Sequence, residues 1–166
     1  QDRFASVCTT LLKQEDLSIA EGLLSCPGIL QQFCNKAADI RVSIFGDEVF
    51  AVRIDSQQSE QARVDFRAGA LQVPHASHEL PAKVKDQCRL LVRDLDLEFG
   101  AIDLALMADG SYVFFEINPN GQWGWLEEII GLAMRRALLN LLFAETHRTK
   151  PIVPTSTEIA DPNSCS

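Results

Sequence analysis

The chain is 166 residues long and 46% hydrophobic, enough for one domain with a buried core and ordinary for a soluble globular protein. Fifteen basic against 23 acidic side chains leave a formal net charge of −8, which opposes broad adhesion to nucleic-acid phosphates or anionic lipid. No apolar run approaches the roughly 20 residues of a membrane span, and the N-terminus lacks the charged-then-apolar order of a signal peptide. Neither a nucleic-acid nor a membrane partner is therefore expected. Cys8, Cys26, Cys34, Cys88 and Cys165 are odd in number, without CxxC spacing or histidines paired at zinc-finger distance. That pattern reads as reduced thiols in a cytoplasmic protein. A chain opening at Gln1 is expected to be a fragment or a processed product.

In chain order, Gln1 to Leu24 has weak periodicity, with a short helix expected near Leu17 to Leu24. From Gly28 three strands are predicted: one on Ile29, Leu30 and Phe33, one on Ile40, Val42, Ile44 and Phe45, and one on Val49, Phe50, Val52 and Ile54. Gly46-Asp47 is the hairpin turn between the last two. Asp55 to Glu79 is polar and too long for a simple connection, so a functional loop with one further strand is expected, its His75 and His78 solvated. Pro81 opens a helix carrying Val84, Cys88, Leu91, Val92 and Leu95 at helical spacing. Phe99 to Met107 and Tyr112 to Asn118 form a hairpin about Asp109-Gly110. Trp123 to Ala144 is predicted as one amphipathic helix, with Glu127 and Glu128 early and Arg135 and Arg136 late to suit the helix dipole. Residues after His147 are proline-interrupted and polar, a disordered tail by composition. The fold class is α+β, mostly antiparallel sheet packed with helices.

The chemistry is concentrated on the second hairpin. With Asp109-Gly110 as a two-residue turn, Met107 faces Tyr112, Ala105 faces Phe114 and Asp103 faces Glu116. Asn118 then shares the face of Glu116, while Ile102, Leu104, Leu106, Val113, Phe115 and Ile117 line the apolar side. Two carboxylates directly opposed on a sheet repel, so the pair calls for a compensating cation or a shared proton. Mg²⁺ takes one or two carboxylates with further oxygen ligands, including substrate phosphates, and Asp103, Glu116 and Asn118 are the candidate set. Two solvated acids on an exposed sheet face are the ordinary alternative.

Phe99 to Asp103, Asp109-Gly110 and Phe115 to Trp123 together resemble the C-terminal core of ATP-grasp enzymes, and within them the peptide-maturase branch that makes microviridin-type cross-links. The likeness runs from about Cys8 to Leu142, with Pro27, Gln31-Gln32-Phe33, Lys36, Asp39-Ile40-Arg41, Gly46-Asp47 and Asp65-Phe66-Arg67 in the expected order. Phe66 stands where this branch usually carries Trp. The resemblance implies Mg²⁺ ligation by Asp103, Glu116 and Asn118, and contacts from Arg41 and Arg67 to phosphates or an acyl-phosphate intermediate. It implies adenine docking along Gln31, Gln32, Phe33 and Cys34, chiefly through backbone groups, with Lys36 or Asp39 near the ribose. ATP and Mg²⁺ are thus the implied cofactors, and a peptide or small-molecule carboxylate the implied partner, ligated to an amine or hydroxyl. A homodimer is compatible with this reading.

On that resemblance residues 1–27 are a remnant of a preceding ATP-grasp subdomain, 28–146 the C-terminal subdomain and 147–166 the tail. No lysine-bearing strand or Gly-rich loop of the kind that covers the phosphates precedes Gln31, so this chain alone is expected to catalyse little. The rival from another class is a non-catalytic nucleotide- or peptide-binding module derived from the same fold.

Overall fold

The computed structural model describes residues 9–16 and 28–146. The helix expected near Leu17 to Leu24, the tail after His147, and Cys8, Cys26 and Cys165 lie outside the described residues.

Among the described residues five antiparallel strands form one sheet: β1 (Lys36–Phe45), β2 (Glu48–Ile54), β3 (His75–Ser77), β4 (Phe99–Met107) and β5 (Tyr112–Asn118), in the order β3-β2-β1-β4-β5. Helix α1 (Ala82–Asp94) joins β3 to β4, and α2 (Gly124–Ile130) and α3 (Met134–Thr146) follow β5. The architecture is the expected α+β class. Strand β1 is central and buried along nearly its whole length, so its two-residue period sorts side chains onto two covered faces. Ile40, Val42 and Ile44 pack with Ile102 and Leu104 of β4 and with Cys88 and Val92 of α1. Phe45, together with Val52 and Ile54 of β2, packs instead against Leu126, Met134 and Ala137 of the α2–α3 layer. Among the described residues no helix is long and apolar enough to cross a membrane.

Several expectations are corrected. Ile29, Leu30 and Phe33 form no strand; they are exposed, and regular pairing begins at Lys36 after a tight turn in which Lys36 N–H donates to the Cys34 carbonyl at 2.9 Å. The single helix over Trp123 to Ala144 is two helices, because Gly131 adopts the left-handed conformation at φ 70° and ends α2. Glu127 does not serve a dipole shared with Arg135: its Oε2 accepts from the Arg135 backbone N–H at 2.8 Å, near the start of α3.

The β4–β5 hairpin is off by one residue near its turn. Gly110 is left-handed at φ 82°, and Met107 N–H reaches the Ser111 carbonyl at 2.9 Å, which makes a three-residue loop. Leu106 therefore faces Tyr112 and Leu104 faces Phe114, instead of the expected Met107–Tyr112 and Ala105–Phe114 pairs. An extra residue, Phe115, then bulges from β5 and restores the Asp103–Glu116 pairing. The histidines are half-buried and not free in solvent: His75 sits in β3 with its ring edge-on to Trp125, and His78 bonds the Tyr112 hydroxyl at 2.8 Å. Burial holds both imidazoles below their ordinary pKa, with Arg53 adding to the effect at His78.

Ile102 is fully buried between β1 and α1. Ile102→Ala is expected to cost about 2–5 kcal/mol through lost burial and a residual cavity, read as a lower urea midpoint at unchanged m-value.

Candidate functional site

The polar face of the site begins as the second alternation of β1. While Ile40, Val42 and Ile44 point to the α1 core, Asp39, Arg41 and Ser43 are carried on the opposite face and are buried there. Arg41 lies directly across from Asp103 of β4, and its Nη1 donates to Asp103 Oδ1 at 2.6 Å with both side chains more than nine-tenths buried. Nη2 of Arg41 donates to the Gln122 carbonyl at 3.3 Å. This approach requires Gly121, where an added Cβ would meet Ala101 Cβ at 2.4 Å and Arg41 Nη2 at 2.8 Å. Nε of Arg41 is buried without a hydrogen-bond partner among the described residues.

Arg67 enters from the loop between β2 and β3. Asp65 anchors it, its Oδ1 accepting from Arg67 N–H at 3.1 Å and its Oδ2 from Thr9 N–H at 3.3 Å. Burial works against the charged form of Asp65, but these N–H donors and the Arg67 charge outweigh it and hold its carboxyl below the ordinary range. The Arg67 guanidinium lies over the Phe66 ring, 5.1 Å from its centroid. Its Nη2 donates to Asp103 Oδ2 at 2.6 Å and also to Glu116 Oε1. The two opposed carboxylates are therefore bridged by one guanidinium, and Asp103 is held between two arginines. Burial pushes the Asp103 carboxyl above its ordinary pKa, assisted by the Glu116 charge and opposed by Arg41 and Arg67.

Two cavities meet at Phe66 and Arg67. The first, of about 280 Å³, gathers Gln31, Gln32, Phe33, Cys34, Lys36 and Asp39 with Arg67, Asp103 and Glu116. The second, of about 590 Å³, is lined by Arg41, Arg67 and Asn118, with Asn120, Gln122 and Trp125. All the nucleotide candidates thus share one cavity with the acid pair, while Asn118 and Arg41 open onto the other. Asn118 pairs with Ala101, and its Oδ1 accepts from Asn120 N–H at 2.8 Å. In the first cavity Lys36 Nζ donates to Asp39 Oδ1 at 2.7 Å and to the Val64 carbonyl at 3.1 Å, and lies 5.5 Å from the centre of the Phe115 ring. Burial raises the pKa of Asp39, against the Lys36 and Ser56 hydrogen bonds that lower it.

Solved structures share this arrangement of strands and helices. A RiPP-associated ATP-grasp ligase of Chryseobacterium gregarium, solved with ADP and a leader and core peptide, matches with a TM-score of 0.78 and 29% identity over 84% of this chain and 43% of its own. The macrocyclase MdnC of Microcystis aeruginosa MRC, bound with the precursor peptide MdnA, matches with a TM-score of 0.72 and 33% identity over 84% of this chain and 43% of its own. The ATP-grasp ligase PsnB, complexed with a phosphomimetic variant of its minimal precursor, Mg and ADP, gives 0.68 and 27% over 85% and 44%. The chain belongs to the ATP-grasp family, in its RiPP-ligase branch. It spans less than half the length of these relatives. Comparison with family models gives no match, and comparison with curated proteins gives none either.

Within this ATP-grasp subdomain, strand periodicity alone does not find Phe115, Leu71 and Trp125. Strict alternation puts Phe115 on the apolar face of β5; the bulge turns it into the first cavity beside Glu116. Its one signal is the run Val113-Phe114-Phe115, three apolar residues where a half-buried strand alternates. Leu71 and Trp125 come to line one cavity only through the tertiary fold and carry no local signature.

Removing the bridging guanidinium tests the charge balance. In Arg67→Ala the Asp103 pKa is expected to rise further above the ordinary 3.8, since the lowering influence of Arg67 is gone. A carboxyl whose folded pKa exceeds its unfolded value binds protons more tightly when folded, so stability falls as pH rises through that interval. The destabilisation relative to wild type should therefore be larger at neutral pH than near pH 4. Urea unfolding at the two pH values, with carboxyl NMR titration of Asp103, checks both signs. Gly121→Ala is expected to cost about 1–3 kcal/mol by forcing Ala101 and Arg41 apart, and to be less than additive with Arg41→Ala in thermal melts.

Proposed function

We propose that this chain supplies the metal- and phosphate-binding half of an ATP-dependent carboxylate–amine or carboxylate–hydroxyl ligase acting on a peptide. The observation that carries the reading is the meeting of Asp103, Glu116, Arg41 and Arg67 where the two cavities join. Nucleotide occupies the first cavity, adenine against the backbone of Gln31 to Cys34 and ribose near Lys36 and Asp39. The relatives solved with ADP, Mg and precursor peptides support both the nucleotide and the class of substrate.

The donor set suits Mg²⁺. Among the described residues no group of three or more His, Cys, Asp and Glu side chains is arranged to hold a metal, whereas two hard carboxylates completed by phosphate oxygens match the ligation Mg²⁺ prefers. Asp103 and Glu116, with the Asn118 amide oxygen, would hold the ion, which neutralises phosphate charge when bound. Arg67 then exchanges its carboxylate partners for phosphate oxygens, a move open to it because its side chain is 48% exposed. Arg41 is fixed, and its permanent charge faces the oxyanions of the transferring group.

In the reaction proposed, a substrate carboxylate oxygen bonds to the γ-phosphorus as the bond from that phosphorus to the β-bridging oxygen breaks, releasing ADP. The acceptor hydroxyl or amine then attacks the acyl carbon, the bond from that carbon to the phosphate oxygen breaks, and inorganic phosphate and one proton leave. Arginine charge stabilises both departures.

Calorimetric titration with ADP, with and without Mg²⁺, tests the reading. Glu116→Gln and Asp103→Asn are each expected to reduce the gain in ADP affinity that Mg²⁺ gives by at least about tenfold, each variant being compared with its own metal-free binding. Equal Mg²⁺ dependence in wild type and both variants would sink it.

A further inference from the structure

We propose that the second cavity is the subsite for the reacting carboxylate, and that it selects a peptide acid with an apolar neighbour, Leu71 and Trp125 being the specificity-determining side chains. The inference rests on the ligase reading and adds to it the kind of sequence the site accepts.

The cavity has two chemically different walls. On one, Arg41 is held rigidly by Asp103 and Gln122, its side chain only 7% exposed, and its Nε–H has no acceptor among the described residues. A buried guanidinium whose donors are not all met leaves positive character on this side of the cavity, which attracts a ligand carboxylate. Asn120 and Gln122 add amide groups beside it, and among the described residues no Asp or Glu lines this cavity. An anion is favoured there over a neutral or cationic group.

The rest of the lining includes the apolar side chains of Phe66, Ala70, Leu71 and Trp125. Leu71 sits in the short turn Ala70–Gln72 and is 80% exposed, although it borders the cavity. Trp125 of α2 lines the same cavity, its indole in T-shaped contact with the His75 ring at 5.4 Å between centroids. That contact limits the freedom of the indole to follow a ligand, so the wall is a formed surface. An apolar side chain beside the ligand carboxylate would take Leu71 out of water, whereas glycine there would leave it hydrated. At about 590 Å³ the space exceeds what a lone carboxylate fills and falls within the range of small-ligand sites.

The test uses the full chain and three N-acetylated, C-methylamidated tripeptides: Leu-Asp-Leu, Gly-Asp-Gly and Leu-Asn-Leu. Affinities are read from Trp fluorescence, and the site from backbone and indole NMR shifts. Leu-Asp-Leu is expected to bind about tenfold more tightly than either of the others, with shifts at Leu71 and Trp125. Leu71→Ser should abolish the preference over Gly-Asp-Gly without moving the melting temperature, because the position is exposed. Equal affinities for the three peptides, shifts centred on Lys36 and Phe115, an unchanged preference in Leu71→Ser, or no binding at millimolar peptide would each overturn the proposal. Mg²⁺–ADP titration of the same sample separates the two readings. Nucleotide binding without peptide discrimination leaves the ligase reading standing and removes this one; discrimination without nucleotide binding removes the ligase reading and with it the reacting role of the carboxylate, leaving only the apolar-neighbour selection.

Discussion

The structure depends on a buried row of charge in the middle of its sheet. Arg41 and Asp103 face each other on the two most enclosed strands, where removing either ion from water would cost several kcal/mol. Such a pair is tolerable only with close geometry and its remaining groups satisfied. Asp103 meets that condition by giving one oxygen to each arginine. Arg41 meets it incompletely, with one N–H unpartnered among the described residues. A hydrophobic pair would serve stability as well or better, so the retained ions point to chemistry more than to folding.

Two irregularities place the other groups around this row. The extra residue Ala37 in β1 and the extra residue Phe115 in β5 break the strict alternation of these two strands. The first brings Lys36 onto the side of Asp39, and the second brings Phe115 beside Glu116, so both bulges aim side chains into the same cavity. Regular strands would give the same core and a poorer pocket. The loop between β2 and β3 then closes the arrangement from outside, with Asp65 fixing the turn that presents Arg67.

What is legible in the sequence follows from this. The hairpins, α1 and the α+β class rest on two- and 3.6-residue periods read locally, and counting outward from Asp109-Gly110 is enough to set Asp103 opposite Glu116. That pairing nevertheless arises from two departures that cancel, a three-residue loop and a compensating bulge, neither of which has a firm local signal. The break at Gly131 is visible as a glycine, but an isolated glycine is also tolerated inside helices. Ile29, Leu30 and Phe33 resemble a strand only if apolarity is equated with burial; they are exposed and pair with nothing in the sheet. Opposed carboxylates call for a cation, and a metal is the simplest one to expect, yet the side chain that meets both acids is Arg67, 36 residues from Asp103 in sequence. Contacts at such separation have no spacing rule.

Arg67 is also the charged group common to both cavities, and its position has a physical consequence for binding. A guanidinium on two carboxylates and a divalent cation on the same two are alternatives, since both satisfy the same oxygens. Arg41, with its side chain 7% exposed, cannot make that exchange; Arg67, at 48%, can. The site therefore pairs a fixed cation with a movable one, and the movable one stands where the proposed nucleotide and substrate spaces meet. Charge arriving in the first cavity would draw Arg67 off the acids and alter the wall of the second. If the proposed nucleotide and carboxylate sites are both used, their binding would be coupled through this single side chain, with reciprocal effects on affinity.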